Sequence, residues 1–185
     1  MPGLPNLLTL LRIALIPVVI SLFYLQSSTG HYIAAALFIL ACVTDYLDGY
    51  YARIYHQTTD LGRFLDPIAD KLLICSTLLL LVGFDQIKGL SLIPAIIILC
   101  REILVSGLRE YLAEAHLSLP VSTLAKWKTG LQMTALSILI ITQPGSAFFD
   151  LQPVGLTALW MSALLTLVTG YDYIKMGLQK ANISS

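Results

Sequence analysis

AALFILACVTDYLDGYYARIYHQTTDLGRFLDPIADKLLICSTLLLLVG, residues 35–83, is the stretch that decides the fold. Four aspartates stand inside its apolar arms, in the order Asp45-x2-Asp48-Gly49-x2-Ala52-Arg53-x8-Gly62-x3-Asp66-x3-Asp70. A carboxylate near the centre of a bilayer costs about 2.5–3.5 kcal/mol, and less toward the interface. Four together also repel one another, so the arrangement asks for a cation. Asp45 and Asp48 are three residues apart, and Asp66 and Asp70 four, so each pair lies on one helical face. Two helices that each offer two carboxylates to a common space imply a divalent-metal site with oxygen ligands, and hence an intramembrane enzyme.

The chain around this hairpin reads the same way. It has 185 residues, 57% of them hydrophobic and 12% charged, with a mean hydropathy of +0.80. A soluble domain of this size has too little interior for so much apolar surface, so lipid is the solvent. The charge-poor stretches, at about 20 residues per crossing, give six helices, near 6–26, 32–54, 62–84, 90–113, 121–143 and 152–175. They form one domain over residues 1–185, an all-α integral membrane bundle without linker or repeat. Outer loops are expected at Gln26–His31, Asp85–Gly89 and Gln143–Pro153, and inner loops near 55–61 and 114–120, with Pro120 opening the fifth helix.

Net charge is zero, but its distribution is not even. With both termini cytoplasmic, Arg12, Arg53, Arg63, Lys71, Arg101, Arg109, Lys126, Lys128, Lys175 and Lys180 fall on the inner side and Lys88 alone outside. That is a positive-inside pattern. No basic segment precedes the first apolar run, so a cleaved signal peptide is not expected. Cys42, Cys75 and Cys100 read as buried packing thiols, and Asn182-Ile-Ser as a chance match to a glycosylation site. His31 and His116 fall in expected loops and His56 just after the second helix. Trp127, Trp160, Tyr24, Tyr32, Tyr50, Tyr51, Tyr55, Tyr171 and Tyr173 fit an aromatic belt.

Taken singly, several motif residues have plainer explanations. Asp66 before Pro67 fits a helix N-cap with proline at the first helical position, a role compatible with ligation. Asp70 precedes Lys71 and can pair with it. Gly49, Ala52 and Gly62 serve close helix packing or room for a ligand. Arg53 snorkels to headgroups or holds a phosphate. Asp45 and Asp48 have no such alternative short of an ion-transport site, which interrupted helices or inverted repeats would support.

As a set, these eight positions match the signature of the CDP-alcohol phosphotransferases, D-x2-D-G-x2-A-R-x8-G-x3-D-x3-D, and the chain resembles that family strongly. Pro5-Asn6-Leu-Leu-Thr9-Leu-Leu-Arg12, Gly62 to Lys71, Arg101 to Glu110 and Ala125-Lys-Trp-Lys-Thr129 extend the resemblance toward members that make phosphatidylglycerol phosphate. It implies a six-helix bundle of that type and transfer of a phosphatidyl group from CDP-diacylglycerol to glycerol 3-phosphate, with release of CMP. It implies Mg2+, with Mn2+ as substitute, two ions per site, held by Asp45, Asp48, Asp66 and Asp70. Asp70 is also the implied general base. Asn6, Thr9, Asp48, Gly49, Ala52, Arg53 and Gly62 would line the CDP pocket. The acceptor's phosphate needs cations, and Arg101, Arg109, Lys126 and Lys128 are the inner-side candidates, membrane anchoring being their plainer role. A homodimer in a bacterial cytoplasmic membrane, with the site facing the cytoplasm, membrane lipids around it and no nucleic-acid partner, completes the expectation. The competing acceptors are phosphatidylglycerol, as in a cardiolipin synthase, and serine or an inositol; the competing class is a cation-coupled transporter.

Overall fold

The computed structural model describes residues 4–55, 60–114, 123–142 and 147–183, and the side chains of these except 4–6, 46–55, 60–64, 111, 113, 114, 123, 149 and 177–183. In lipid every backbone N–H and C=O must be satisfied within its own segment, so the apolar runs become helices. Among the described residues there are six: α1 (Leu4–Tyr24), α2 (Ser28–Tyr55), α3 (Asp60–Gly83), α4 (Leu92–Glu114), α5 (Thr123–Ile141) and α6 (Gln152–Ile183). Short 3-10 turns at Gly89–Ser91 and Phe149–Leu151 lead into α4 and α6. No strand occurs among the described residues. α1, α2, α4 with its 3-10 lead and α6 are each long and apolar enough to cross a membrane. α3, which carries the second acid pair, and α5, which carries Lys126 and Lys128, do not reach that measure among the described residues.

The helices close into a ring in the order α1, α2, α5, α6, α4, α3, with α3 also touching α5 across it. The ring's centre is the apolar core of Phe23, Phe38, Leu78, Leu81, Ile98, Leu136, Leu139 and Leu159, while Leu79, Ile96 and Met161 point outward, as side chains facing lipid do. Small residues set two of the close approaches. A Cβ on Gly155 of α6 would stand 2.9 Å from Leu139 Cδ2 of α5, and one on Gly170 would stand 3.3 Å from Arg101 Cγ of α4.

Four local expectations are corrected. The first outer turn is shorter than Gln26–His31, because Ser27 Oγ accepts the Gly30 N–H at 3.0 Å and caps α2 from its first turn. His31 is therefore helical and buried, its Nδ1 2.9 Å from the Ser27 carbonyl and its ring 4.8 Å from that of Phe23. Asp66 is no N-cap: α3 begins at Asp60 and runs through Pro67, so the acid lies in the helix interior. Cys100 faces outward, whereas Cys42 is half-buried with its Sγ 2.9 Å from Met133 Sδ. Pro120, His56 and His116 lie outside the described residues. The turn at Asp85–Gly89 is as expected, with Asp85 (φ 60°) and Gly89 (φ 58°) in the left-handed region and Lys88 between them.

Candidate active site

The site is built by α1. Its residues Thr9 and Arg12, three apart, share one face and are both about 1% exposed. Because α1 packs against both α2 and α3, that face meets the two acid-bearing helices at once. Thr9 Oγ1 donates to Asp66 Oδ1. Arg12 Nη1 lies 2.6 Å from Asp70 Oδ1 and 3.2 Å from Asp45 Oδ1. The common space expected between the two acid-bearing helices is met for these two: a single nitrogen spans a carboxylate from each helix. Arg12, counted from sequence only as an inner-side anchor, is instead the wholly buried ion-pair partner of the two acids. A signal for it was present, since an arginine inside an apolar helix is as costly as an aspartate there.

Asp45 and Asp70 remain about a third exposed (35% and 34%), so they are open on the side away from Arg12. Lys71 does not take Asp70; its Nζ donates to the Pro67 carbonyl at 2.8 Å. Asp48, Gly49, Ala52 and Arg53 follow Asp45 along α2, and Gly62 lies in the first turn of α3, but their side-chain surroundings are outside the described set. The same is true of Asn6 on α1.

These residues fit a hard divalent cation in chemistry. The donors are carboxylate oxygens with no thiolate or imidazole among them, the set that Mg2+ and Mn2+ prefer. One observation supports the place as well as the type: a positively charged nitrogen already lies between the Asp45 and Asp70 oxygens. Among the described residues no three acids form a finished ligand shell, for Asp66 is turned to Thr9 and Asp48 falls outside the description. The described acids are instead paired within the protein, Asp45 and Asp70 with Arg12 and Asp66 with Thr9.

A second cluster, of opposite sign, joins α4, α5 and α6. Arg109 is exposed on α4 and donates from Nη2 to the Tyr173 hydroxyl at 2.9 Å. Arg101 donates from Nη2 to Thr169 Oγ1 at 3.2 Å, and its Nη1 is 3.5 Å from Glu102 Oε1. Lys128 is 3% exposed and paired with the same Glu102, so it is no simple anchor. Lys126 is exposed near the start of α5. Tyr173, expected in the aromatic belt, is buried at 1%, unlike Tyr24, Trp127 and Tyr171 at 71%, 72% and 68%. Glu102 and Tyr173 are thus site-forming residues that sequence reasoning missed. An acid inside the apolar fourth helix was the available signal for the first; nothing marked the second. α3, which carries Asp66 and Asp70, packs against α4, which carries Arg101, Glu102 and Arg109, so the two clusters stand on adjoining helices.

Comparison with known proteins gives one family. The family model described as CDP-alcohol phosphatidyltransferase matches residues 3–168. Among curated relatives, a CDP-diacylglycerol–glycerol-3-phosphate 3-phosphatidyltransferase of Rickettsia typhi is 52% identical over 175 residues, 95% of this chain and 97% of the relative. Proteins of the same name from Pseudomonas fluorescens (42% over 176 residues, 94% and 89%) and Arabidopsis thaliana (numbered 2 there; 39% over 183 residues, 93% and 78%) are similar along nearly as much of the chain. With the acid hairpin, its partners on α1 and matches of this extent, the chain belongs to the CDP-alcohol phosphatidyltransferase family.

Proposed function

We propose that the chain transfers the phosphatidyl group of CDP-diacylglycerol to glycerol 3-phosphate, giving phosphatidylglycerol phosphate and CMP. The observation that carries this is the pairing of the two clusters. An acid-rich site suited to a metal-bound diphosphate and a cation-rich site suited to a second phosphate stand on helices that pack together, α3 and α4. The relatives' shared name agrees with it.

In this reading Asp45, Asp48, Asp66 and Asp70 would hold two divalent ions, Mg2+ or Mn2+. When bound, these ions neutralise the diphosphate and the charge that develops on the departing CMP. Thr9 and Arg12 hold three of the acids in register. Asn6, Thr9, Asp48, Gly49, Ala52, Arg53 and Gly62 line the nucleotide pocket. The acceptor's primary hydroxyl oxygen forms a bond to the lipid-side phosphorus as the bond from that phosphorus to the CMP oxygen breaks. Asp70 accepts the hydroxyl proton, its open side facing away from Arg12. Arg101 and Arg109 grip the acceptor phosphate, Arg109 from an exposed position, with Lys126 and Lys128 adding positive potential. The bundle crosses a bacterial cytoplasmic membrane six times, as a homodimer with both termini and the site at the cytoplasmic face. At that level a lipid-borne donor and a soluble acceptor meet.

The test is direct. Purified protein in detergent, given CDP-diacylglycerol and Mg2+, releases CMP with glycerol 3-phosphate and not with phosphatidylglycerol, serine or inositol, and excess chelator stops it. CMP release with one of the other acceptors alone moves the chain to a different branch of the family. No release with any of them ends the proposal. Within the active enzyme, Arg109→Ala raises the KM for glycerol 3-phosphate by about tenfold or more, the value of a charge-assisted contact, and leaves that for CDP-diacylglycerol unchanged.

A further inference from the structure

Arg101 and Arg109 are eight residues apart on α4, about 12 Å along the helix axis. Both guanidiniums are nevertheless held to the same ring. The Arg101 guanidinium carbon lies 5.8 Å, and that of Arg109 5.1 Å, from the centroid of Tyr173 on α6. Arg109 also hydrogen-bonds the tyrosine hydroxyl at 2.9 Å, and Arg101 the hydroxyl of Thr169, one turn before Tyr173 on the same face of α6. Gly170, between them, leaves room for the Arg101 stem. The aromatic residue at the centre is 1% exposed and lies in a helix otherwise read as a membrane span.

This arrangement has a chemical purpose. Two like charges held close together are unfavourable in a medium of low dielectric, and one aromatic ring attracts both. A free arginine loses rotamer entropy when it is fixed on a ligand. Arginines already fixed lose less, which lowers the cost of binding an anion. Glu102 pairs with Arg101 and with Lys128 but, among the described residues, not with Arg109, whose hydrogen bond goes to Tyr173, so Tyr173 is placed to position the exposed arginine.

We propose that Tyr173 is a positioning residue for acceptor selection. It pre-sets Arg101 and Arg109 as a two-cation grip that favours a phosphomonoester acceptor over an uncharged alcohol. The inference rests on the assignment of these arginines to the acceptor, and the experiment separates the two. Steady-state kinetics are measured with both substrates varied for the parent enzyme, Arg109→Ala, Tyr173→Phe and Tyr173→Leu, with inorganic phosphate as a competing probe. Tyr173→Phe keeps the ring and removes the hydroxyl. It raises the KM for glycerol 3-phosphate and the Ki for inorganic phosphate by about three- to tenfold, the value of one hydrogen bond to a charged donor. Its kcat and its KM for CDP-diacylglycerol stay within about twofold, a split that a general loss of structure does not produce. Tyr173→Leu also removes the cation–π contacts and raises the same two constants further. If Arg109→Ala raises the acceptor KM but Tyr173→Phe leaves it unchanged, the positioning role is overturned and the acceptor assignment stands. If Tyr173→Phe lowers kcat and weakens both substrates alike, the residue is structural and the inference is overturned. If Arg109→Ala itself leaves the acceptor KM untouched, the assignment fails and takes the inference with it.

Discussion

The acid cluster and the basic cluster are opposite solutions to one problem, the burial of charge in an apolar bundle. In the first, Asp45, Asp66 and Asp70 share one guanidinium and one hydroxyl. In the second, Arg101, Arg109 and Lys128 share one carboxylate, one aromatic ring and two hydroxyls, those of Thr169 and Tyr173. Counting these groups alone, the first is left with two negative charges and the second with two positive. Neither excess is a good way to stabilise a fold, since an uncompensated buried charge is costly. Their complement is informative: one side is completed by cations, the other by an anion, and a metal-bound diphosphate beside a phosphate acceptor provides both.

The largest effect that can break this comparison is on the acid side. Asp70→Asn keeps the shape and removes the charge. CMP release is expected to fall by about a thousandfold at saturating Mg2+ and glycerol 3-phosphate, the scale seen when one preorganised electrostatic group is lost from an active site. Substrate excess restores Arg109→Ala but cannot restore this variant. If Asp70→Asn is rescued by more acceptor, the division of labour between the clusters is wrong.

Arg12→Met is the next. It leaves Asp45 and Asp70 facing each other without their cation, and breaking a buried pair costs about 3–5 kcal/mol. For a chain of this size that lowers Tm by at least about 6 °C in detergent. Mg2+ should then raise the variant's Tm more than the parent's, because an ion takes over the charge that Arg12 supplied. Equal Mg2+ shifts in both proteins would separate Arg12 from the metal ligands.

These clusters also show what a sequence can and cannot reveal. Spacing alone put each acid pair on one helical face, because helical periodicity is local, and the cost of an intramembrane acid pointed those faces to a common space. The number of helices was legible for the same reason. Their ends were less so: Ser27 starts α2 early through a single hydroxyl contact, and α3 runs on through a proline that reads as a helix opener. The ring order was not legible, since it depends on which helix faces are complementary across the bundle. Partners decided by that order were therefore missed. Arg12 looked like one basic residue among ten on the inner side, and Tyr173 like one tyrosine of a belt. Only the approach of α1 to α2 and α3, and of α4 to α6, turns them into parts of a site.

The smallest effect sharpens the comparison most, because each cluster borrows one threonine from a neighbouring helix. Thr9 donates to Asp66, which has no other recorded donor among the described residues. Thr169 accepts from Arg101, which has Glu102 as well, and its hydroxyl also donates to the Leu165 carbonyl at 2.8 Å. Valine removes the hydroxyl in each case with little change of shape. Thr9→Val is expected to cost about 1.5 kcal/mol, the value of a hydrogen bond to a charged group, and to lower Tm by about 3–6 °C. Thr169→Val should cost less than half of that, because Glu102 still compensates Arg101. Thermal denaturation of the two variants side by side reads the difference. Were Thr169→Val the more damaging, the basic cluster would depend on its hydroxyl more than on its internal carboxylate. Its excess positive charge would then be a packing feature, with no anion needed to complete it.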